Sequence, residues 1–192
     1  IGHSHPHFVR KISRQLRRIA FYSNAVQNPL QEQLASSIGE QSCLHDFELF
    51  LCSTGAEAIE NALKLSSFHT QRKKVIAFKG AFHGRTSAAV AVTDNISINA
   101  PINSQHEVTF LPFDDIEALE KELASETYCA VIFESIQGVG GLDQPNDSFV
   151  IAMDSLCKKY GTTLIADEVQ SGFGRSGTFF AYQKHPITPH II

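Results

Sequence analysis

Apolar positions along this chain fall into two alternating rhythms. Short unbroken apolar runs occur at Lys74–Phe78 (KVIAF), Val108–Leu111, Cys129–Phe133 (CAVIF) and Thr163–Ala166 (TLIA). Runs of this length without polar alternation predict strands, and the buried ones belong to a sheet covered on both faces. Phe47–Cys52 (FELFLC), followed by turn residues, predicts a further strand. Between and around them the spacing lengthens to the helical period. Helices are expected over His5–Ile19 (Phe8, Ile12, Leu16 and Ile19 on one stripe, Pro6 near the start), Pro29–Gln41, Gly55–Phe68, Asp114–Leu123 and Ser148–Tyr160. Strand and helix alternate at least four times, which implies right-handed βαβ crossovers and a mostly parallel α/β sheet.

In such sheets, ligands sit outside the carboxyl ends of the strands. Four clusters of ligand-type residues fall at those ends: 53–57, 79–86, 134–141 and 167–175. The last begins with Asp167, Glu168 and Gln170 and breaks at Gly172 and Gly174. A carboxylate there needs a cationic partner, such as a protonated ring nitrogen; the alternative is an Asp that caps the next turn. In the first cluster, Thr54 and Glu57 have the spacing of a capping box, and Gly55 lets a ligand approach the backbone. The turn reads either as a plain helix cap or as a phosphate seat at a helix N-terminus. Phe82 and His83 lie between Gly80 and Gly84, and Arg85 follows directly: Phe82 can stack on a ring and Arg85 can take a carboxylate or phosphate, or they are a buried Phe and a surface Arg.

Composition narrows the classes. The 192 residues, 43% hydrophobic and 19% charged, suffice for one good-sized core. A net charge of −4 shows no basic field for nucleic acid or anionic lipid. There is no apolar run of membrane-spanning length, and the N-terminus lacks the apolar stretch of a signal peptide. Cys43, Cys52, Cys129 and Cys157 are widely spaced without a CxxC, which predicts reduced thiols and a cytoplasmic protein. His3, His5 and His7 would share one side of an extended segment, but no acidic or Cys ligand is near, so no metal is expected. A nucleotide-binding α/β domain built on the Gly55 turn is a further alternative, against which no GxGxxG follows a strand.

Taken in order, Gly2-His3 with His5-Pro6, Ser53–Lys64 (STGAEAIENALK), Phe82–Thr86 (FHGRT), Glu134–Gly141 (ESIQGVGG) and Ala166–Gly177 (ADEVQSGFGRSG) resemble the class III, ornithine-type aminotransferases. Within that family the acetylornithine and succinylornithine enzymes look most similar. The resemblance implies a pyridoxal phosphate (PLP) enzyme of fold type I that moves an amino group from an ornithine-like ω-amino donor to 2-oxoglutarate, as a homodimer. It implies that Thr54, Gly55 and Ala56 hold the phosphate and that Phe82 and Val169 cover the two ring faces. Asp167 would pair with the ring nitrogen, Glu134 would support it, Gln170 would reach the ring's 3′ oxygen, and Arg85 would take the substrate's α-carboxylate.

Residues 1–27 would then end an N-terminal segment, and 28–192 would be the first half of the large PLP-binding domain. The Schiff-base lysine of this family is expected just beyond Ile192, so no catalytic lysine lies in this stretch, and the 192 residues alone are expected to be inactive. A lysine-less homologue that binds PLP or a partner without catalysis is the alternative. Three positions depart from the family: Ser135 replaces a usual Pro, Val139 replaces a usual Glu that neutralises a later Arg, and His190 replaces a usual Asp.

Overall fold

The computed structural model describes residues 2–20 and 26–192. Contacts divide the chain into two compact units, Ile1–Leu49 and Phe50–Ile192. The sequence-based division after residue 27 lies between the two helices of the first unit.

That first unit carries α1 (Pro6–Leu16) and α2 (Pro29–Ser42). Each starts with a proline in its first turn behind a side-chain cap: His5 Nδ1 accepts the His7 N–H at 3.3 Å, and Asn28 Oδ1 accepts the Leu30 N–H at 3.0 Å. His5 is thus committed to the helix end. Among the described residues no group of three or more His, Cys, Asp or Glu side chains is placed to hold a metal. α2 stops at Cys43, whose left-handed φ of 60° turns the chain away.

The second unit is an α/β layer structure. α3 (Gly55–Thr70) leads to β1 (Lys74–Phe78), α4 (Ser87–Ala91), β2 (Val108–Leu111), α5 (Ile116–Leu123), β3 (Tyr128–Glu134), α6 (Asp147–Lys159) and β4 (Thr163–Asp167). The four strands form one fully parallel sheet in the order β2-β1-β3-β4. Alternation along the strands divides the core between two faces. Val75, Ala77, Ala130 and Ile132 pack with Ile59, Ala62 and Leu63 of α3. On the other face Phe78 meets Phe149 of α6 edge-on at 5.6 Å and Phe113 at 4.8 Å. Every residue of β3 and β4 is buried, which explains why their sequences read as continuous apolar runs.

One expected element is absent. Phe47–Cys52 is irregular and exposed, with Phe50 at 69%. Its apolar run is a valid strand sequence, but among the described residues no neighbouring strand pairs with it, and a strand exists only through its ladder. Among the described residues no helix is long and apolar enough to cross a membrane.

Candidate active site

A parallel sheet puts all its carboxyl ends on one side, and three of the four clusters emerge there. Residues 79–86 follow β1, 134–141 follow β3 and 167–175 follow β4, while the fourth cluster opens α3. Register brings Glu134 beside Asp167 as paired last residues of β3 and β4. Hydrogen bonds then lace the loops together.

Asp167 is buried, and its Oδ2 lies 2.7 Å from Nδ1 of His83, whose side chain is fully enclosed. Its Oδ1 accepts the Val169 N–H at 3.0 Å. The His83 backbone N–H donates to Thr93 Oγ1 at 2.9 Å, which fixes the loop that carries the ring. The other ring nitrogen, Nε2, is buried without a partner. Glu134 is spent on backbone: Oε1 accepts from Phe82 N at 2.9 Å and Oε2 from Gly138 N at 3.2 Å. Burial pushes the Glu134 carboxyl above its usual range, the adjacent Asp167 adds to that, and the Phe82 N–H and His83 oppose it.

Glu168, one residue on, points to the opposite side of the strand and does a different job. Its carboxylate accepts from Ala181 N at 2.9 Å, Tyr182 N at 2.8 Å and Ser171 Oγ at 2.7 Å, so it ties 171–182 back to the end of β4. The sequence reading gave Glu168 no role. The available signal was strand alternation, which sends consecutive acids to opposite faces.

At the start of α3 the capping box forms with a small difference. Thr54 Oγ1 accepts the Glu57 N–H at 3.1 Å, and the Glu57 carboxylate reaches Ser53 N, at 2.8 Å, rather than the N–H of Thr54. The Gly55 and Ala56 N–H groups belong to the first turn, which the helix itself does not satisfy. This turn fits closely against the strand-end loops. A Cβ on Gly55 would lie 2.8 Å from Val169 Cγ1, and one on Gly84 would lie 2.9 Å from the Ala56 Cβ. Gln170 closes on the β3 loop so tightly that a Cβ on Gly138 would lie 2.2 Å from its Oε1.

Gly55, Ala56, Phe82, Glu134, Asp167, Val169 and Gln170 are therefore joined by direct contacts or by one intermediate residue. Thr54 and Arg85 are exposed at its rim, Arg85 with its guanidinium 6.0 Å from the Phe82 ring centre. Glu60 also holds this rim: its Oε1 accepts from Thr86 Oγ1 at 2.7 Å and from Ala88 N at 2.8 Å, tying the β1 loop to α3. Val139 is 60% exposed in the β3 loop.

The arrangement offers a buried carboxylate backed by an imidazole, a helix N-terminus whose first N–H groups the helix does not satisfy, a half-buried aromatic ring and an exposed guanidinium. Together these suit a ligand with a basic ring nitrogen and an anionic tail.

Known proteins with this architecture include the ornithine aminotransferase of Toxoplasma gondii, which superposes with a TM-score of 0.87 over 98% of this chain and 46% of its own, at 27% identity. The taurine:2-oxoglutarate aminotransferase of Bifidobacterium kashiwanohense, solved in complex with PLP and glutamate, gives 0.86 over 98% and 48%, also at 27% identity. In sequence, the acetylornithine aminotransferase of Bacillus anthracis is 41% identical over all of this chain and 49% of its own length. That of Archaeoglobus fulgidus is 40% identical over all of this chain and 51% of its own. The chain thus spans about half the length of these curated relatives. The aminotransferase class-III family pattern matches residues 1–192, from end to end, and the chain belongs to that family.

Proposed function

We propose that the protein of which this chain forms the described part is a PLP-dependent aminotransferase. Its donor would be an ornithine-like ω-amine, such as N-acetyl- or N-succinylornithine, and its acceptor 2-oxoglutarate. The observation that carries this reading is the buried Asp167–His83 pair at the end of β4, facing the same loops as the start of α3. The relatives' names support the donor class.

The residues present fit the cofactor. Asp167, already fixed by His83 and by Val169 N, supplies the anion that would keep a pyridine nitrogen protonated. The N–H groups of Gly55 and Ala56, with Thr54, would take the phosphate at the positive end of α3. Phe82 and Val169 would cover the ring, and Gln170 would reach its 3′ oxygen. Glu134 acts through position: by holding Phe82 N and Gly138 N, it sets both loops around the ring. When bound, PLP supplies an electron sink for charge developed at the substrate's α-carbon.

Arg85 would take the α-carboxylate, for which a planar two-pronged donor is geometrically suited. Val139 brings no charge to a place where the family usually has a carboxylate, so the balance between the two substrates would differ from that of typical members. The reading extends to a homodimer and to a cytoplasmic location. It also takes 28–192 as the first half of the large domain, after an N-terminal segment ending at 27.

The test is cofactor binding and turnover in the full-length polypeptide. PLP should bind with a visible absorbance band, and N-acetylornithine with 2-oxoglutarate should yield glutamate. PLP binding without glutamate from any ω-amine donor would leave only a cofactor-binding homologue, and no PLP binding would overturn the reading.

A further inference from the structure

β4 lies at the end of the sheet, and its outer edge is taken up by the last residues of the chain. Ile191 bridges Ile165 in parallel register; its N–H donates to Leu164 O at 3.2 Å, and its carbonyl accepts the Ala166 N–H at 2.9 Å. His190 N also donates to Leu164 O, at 2.9 Å. A parallel ladder continued by one step would answer the next outward donor, Leu164 N–H, with the carbonyl of residue 189. The structure uses a side chain instead: Leu164 N–H donates to His190 Nδ1 at 3.0 Å.

We propose that His190 is a positioning residue whose neutral imidazole completes this ladder, so that the register of 190–192 on β4, two residues from Asp167, is held only while Nδ1 is unprotonated. An imidazolium has a proton on both nitrogens and accepts no hydrogen bond. Protonation would set two donors against each other at Leu164 and free the start of the added strand. The consequence for Asp167 as a cofactor partner rests on the function proposed above; the ladder itself does not.

The surroundings favour the neutral ring. Burial lowers its pKa below the ordinary value of about 6.5. Of the charged groups facing it, Asp154 on α6 opposes that shift, while Lys158 on α6 and His69 on α3 reinforce it. Asp154 is itself engaged by Lys158 at 2.6 Å. Because the folded-state pKa is depressed, the contribution is fully present above the unfolded value, near 6.5, and is lost as pH falls through the folded value.

The test is amide hydrogen exchange in the full-length polypeptide, corrected for the intrinsic pH dependence, with Ala166 N–H as the internal reference. In the unaltered protein, protection of Leu164 relative to Ala166 should fall about tenfold between pH 8 and pH 5, the size expected for one lost hydrogen bond. His190→Asn places a non-titrating Oδ1 where Nδ1 sits, so its ratio should be high and flat with pH. His190→Ala should be low at both. A ratio independent of pH in the unaltered protein would overturn the proposal, as would an Asn variant that behaves like the Ala variant. The measurement uses no cofactor, so it stands even if PLP does not bind.

Discussion

The Oδ2 of Asp167 and the Nδ1 of His83 meet at 2.7 Å although 84 residues separate them along the chain. Neither is open to water: the side chains are 5% and 0% exposed. The pair joins the β1 loop to the end of β4. His83→Ala would leave a buried carboxylate with a backbone N–H alone and should cost about 3 kcal/mol in denaturant unfolding. Asp167→Asn keeps the shape and removes the charge. Turnover in the full-length enzyme should fall at least about a hundredfold while the fold persists. Near-normal turnover would remove Asp167 from the ring nitrogen.

Arg85 is exposed and its nearest described partner is the face of Phe82. Arg85→Ala should raise the KM for the amino-acid substrate by about tenfold or more, the loss expected for a charge-assisted contact, with PLP affinity little changed. Equal losses in both would place a phosphate, not a carboxylate, on this guanidinium.

Two nearby glycines separate site geometry from stability. A Cβ on Gly138 collides with the tip of Gln170, an exposed side chain able to swing away. A Cβ on Gly140 would lie 2.6 Å from the carbonyl oxygen of Gly80, a backbone atom that cannot. Gly138→Ala should therefore lower cofactor affinity with less than about 1 kcal/mol of destabilisation, whereas Gly140→Ala should cost about 2 kcal/mol or more. Thermal melts with and without PLP would show the difference.

Removing the Glu168 carboxylate orphans the N–H groups of Ala181 and Tyr182 and the Ser171 hydroxyl. Glu168→Ala should destabilise by about 3–5 kcal/mol, and Glu168→Gln by less, since one oxygen remains to accept. Chemical denaturation of the two variants gives the comparison.

The thiols should divide in two. Cys43 and Cys52 are exposed, whereas Cys129 and Cys157 are buried. Burial pushes the Cys129 thiol up to about 11 and raises that of Cys157 as well. At pH 8 a thiol reagent should modify two residues quickly in the folded protein and the other two only after unfolding.

Much of this was legible in the sequence, for identifiable reasons. β1, β3 and β4 lie in the core, so burial on both faces wrote them as apolar runs, correct to within a residue or so. The same rule failed at Phe47–Cys52 because side-chain pattern reports what a strand can bury and says nothing about whether a neighbour is there to pair with it. His83 stood out in its loop, but its partner could not be read, since the contact joins residues 84 apart in sequence and no local spacing records it. Glu168 was obscured by Asp167 beside it, although the two-residue period of a strand gives such neighbours opposite duties. The use of His190 as a surrogate backbone acceptor has no sequence signature.

The irregular run at Phe47–Cys52 leaves backbone without a ladder beside exposed apolar side chains. Apart from Glu48 it is uncharged, it contains neither Pro nor Gly, and Phe50 and Leu51 face water at 69% and 45%. Such a segment has the composition of a strand and is a ready template for pairing with one. It leads directly into Ser53, Thr54 and Gly55, so this unpaired stretch and the turn proposed to seat the phosphate are neighbours on the same backbone. A strand paired at 47–52 would fix the backbone that enters that turn.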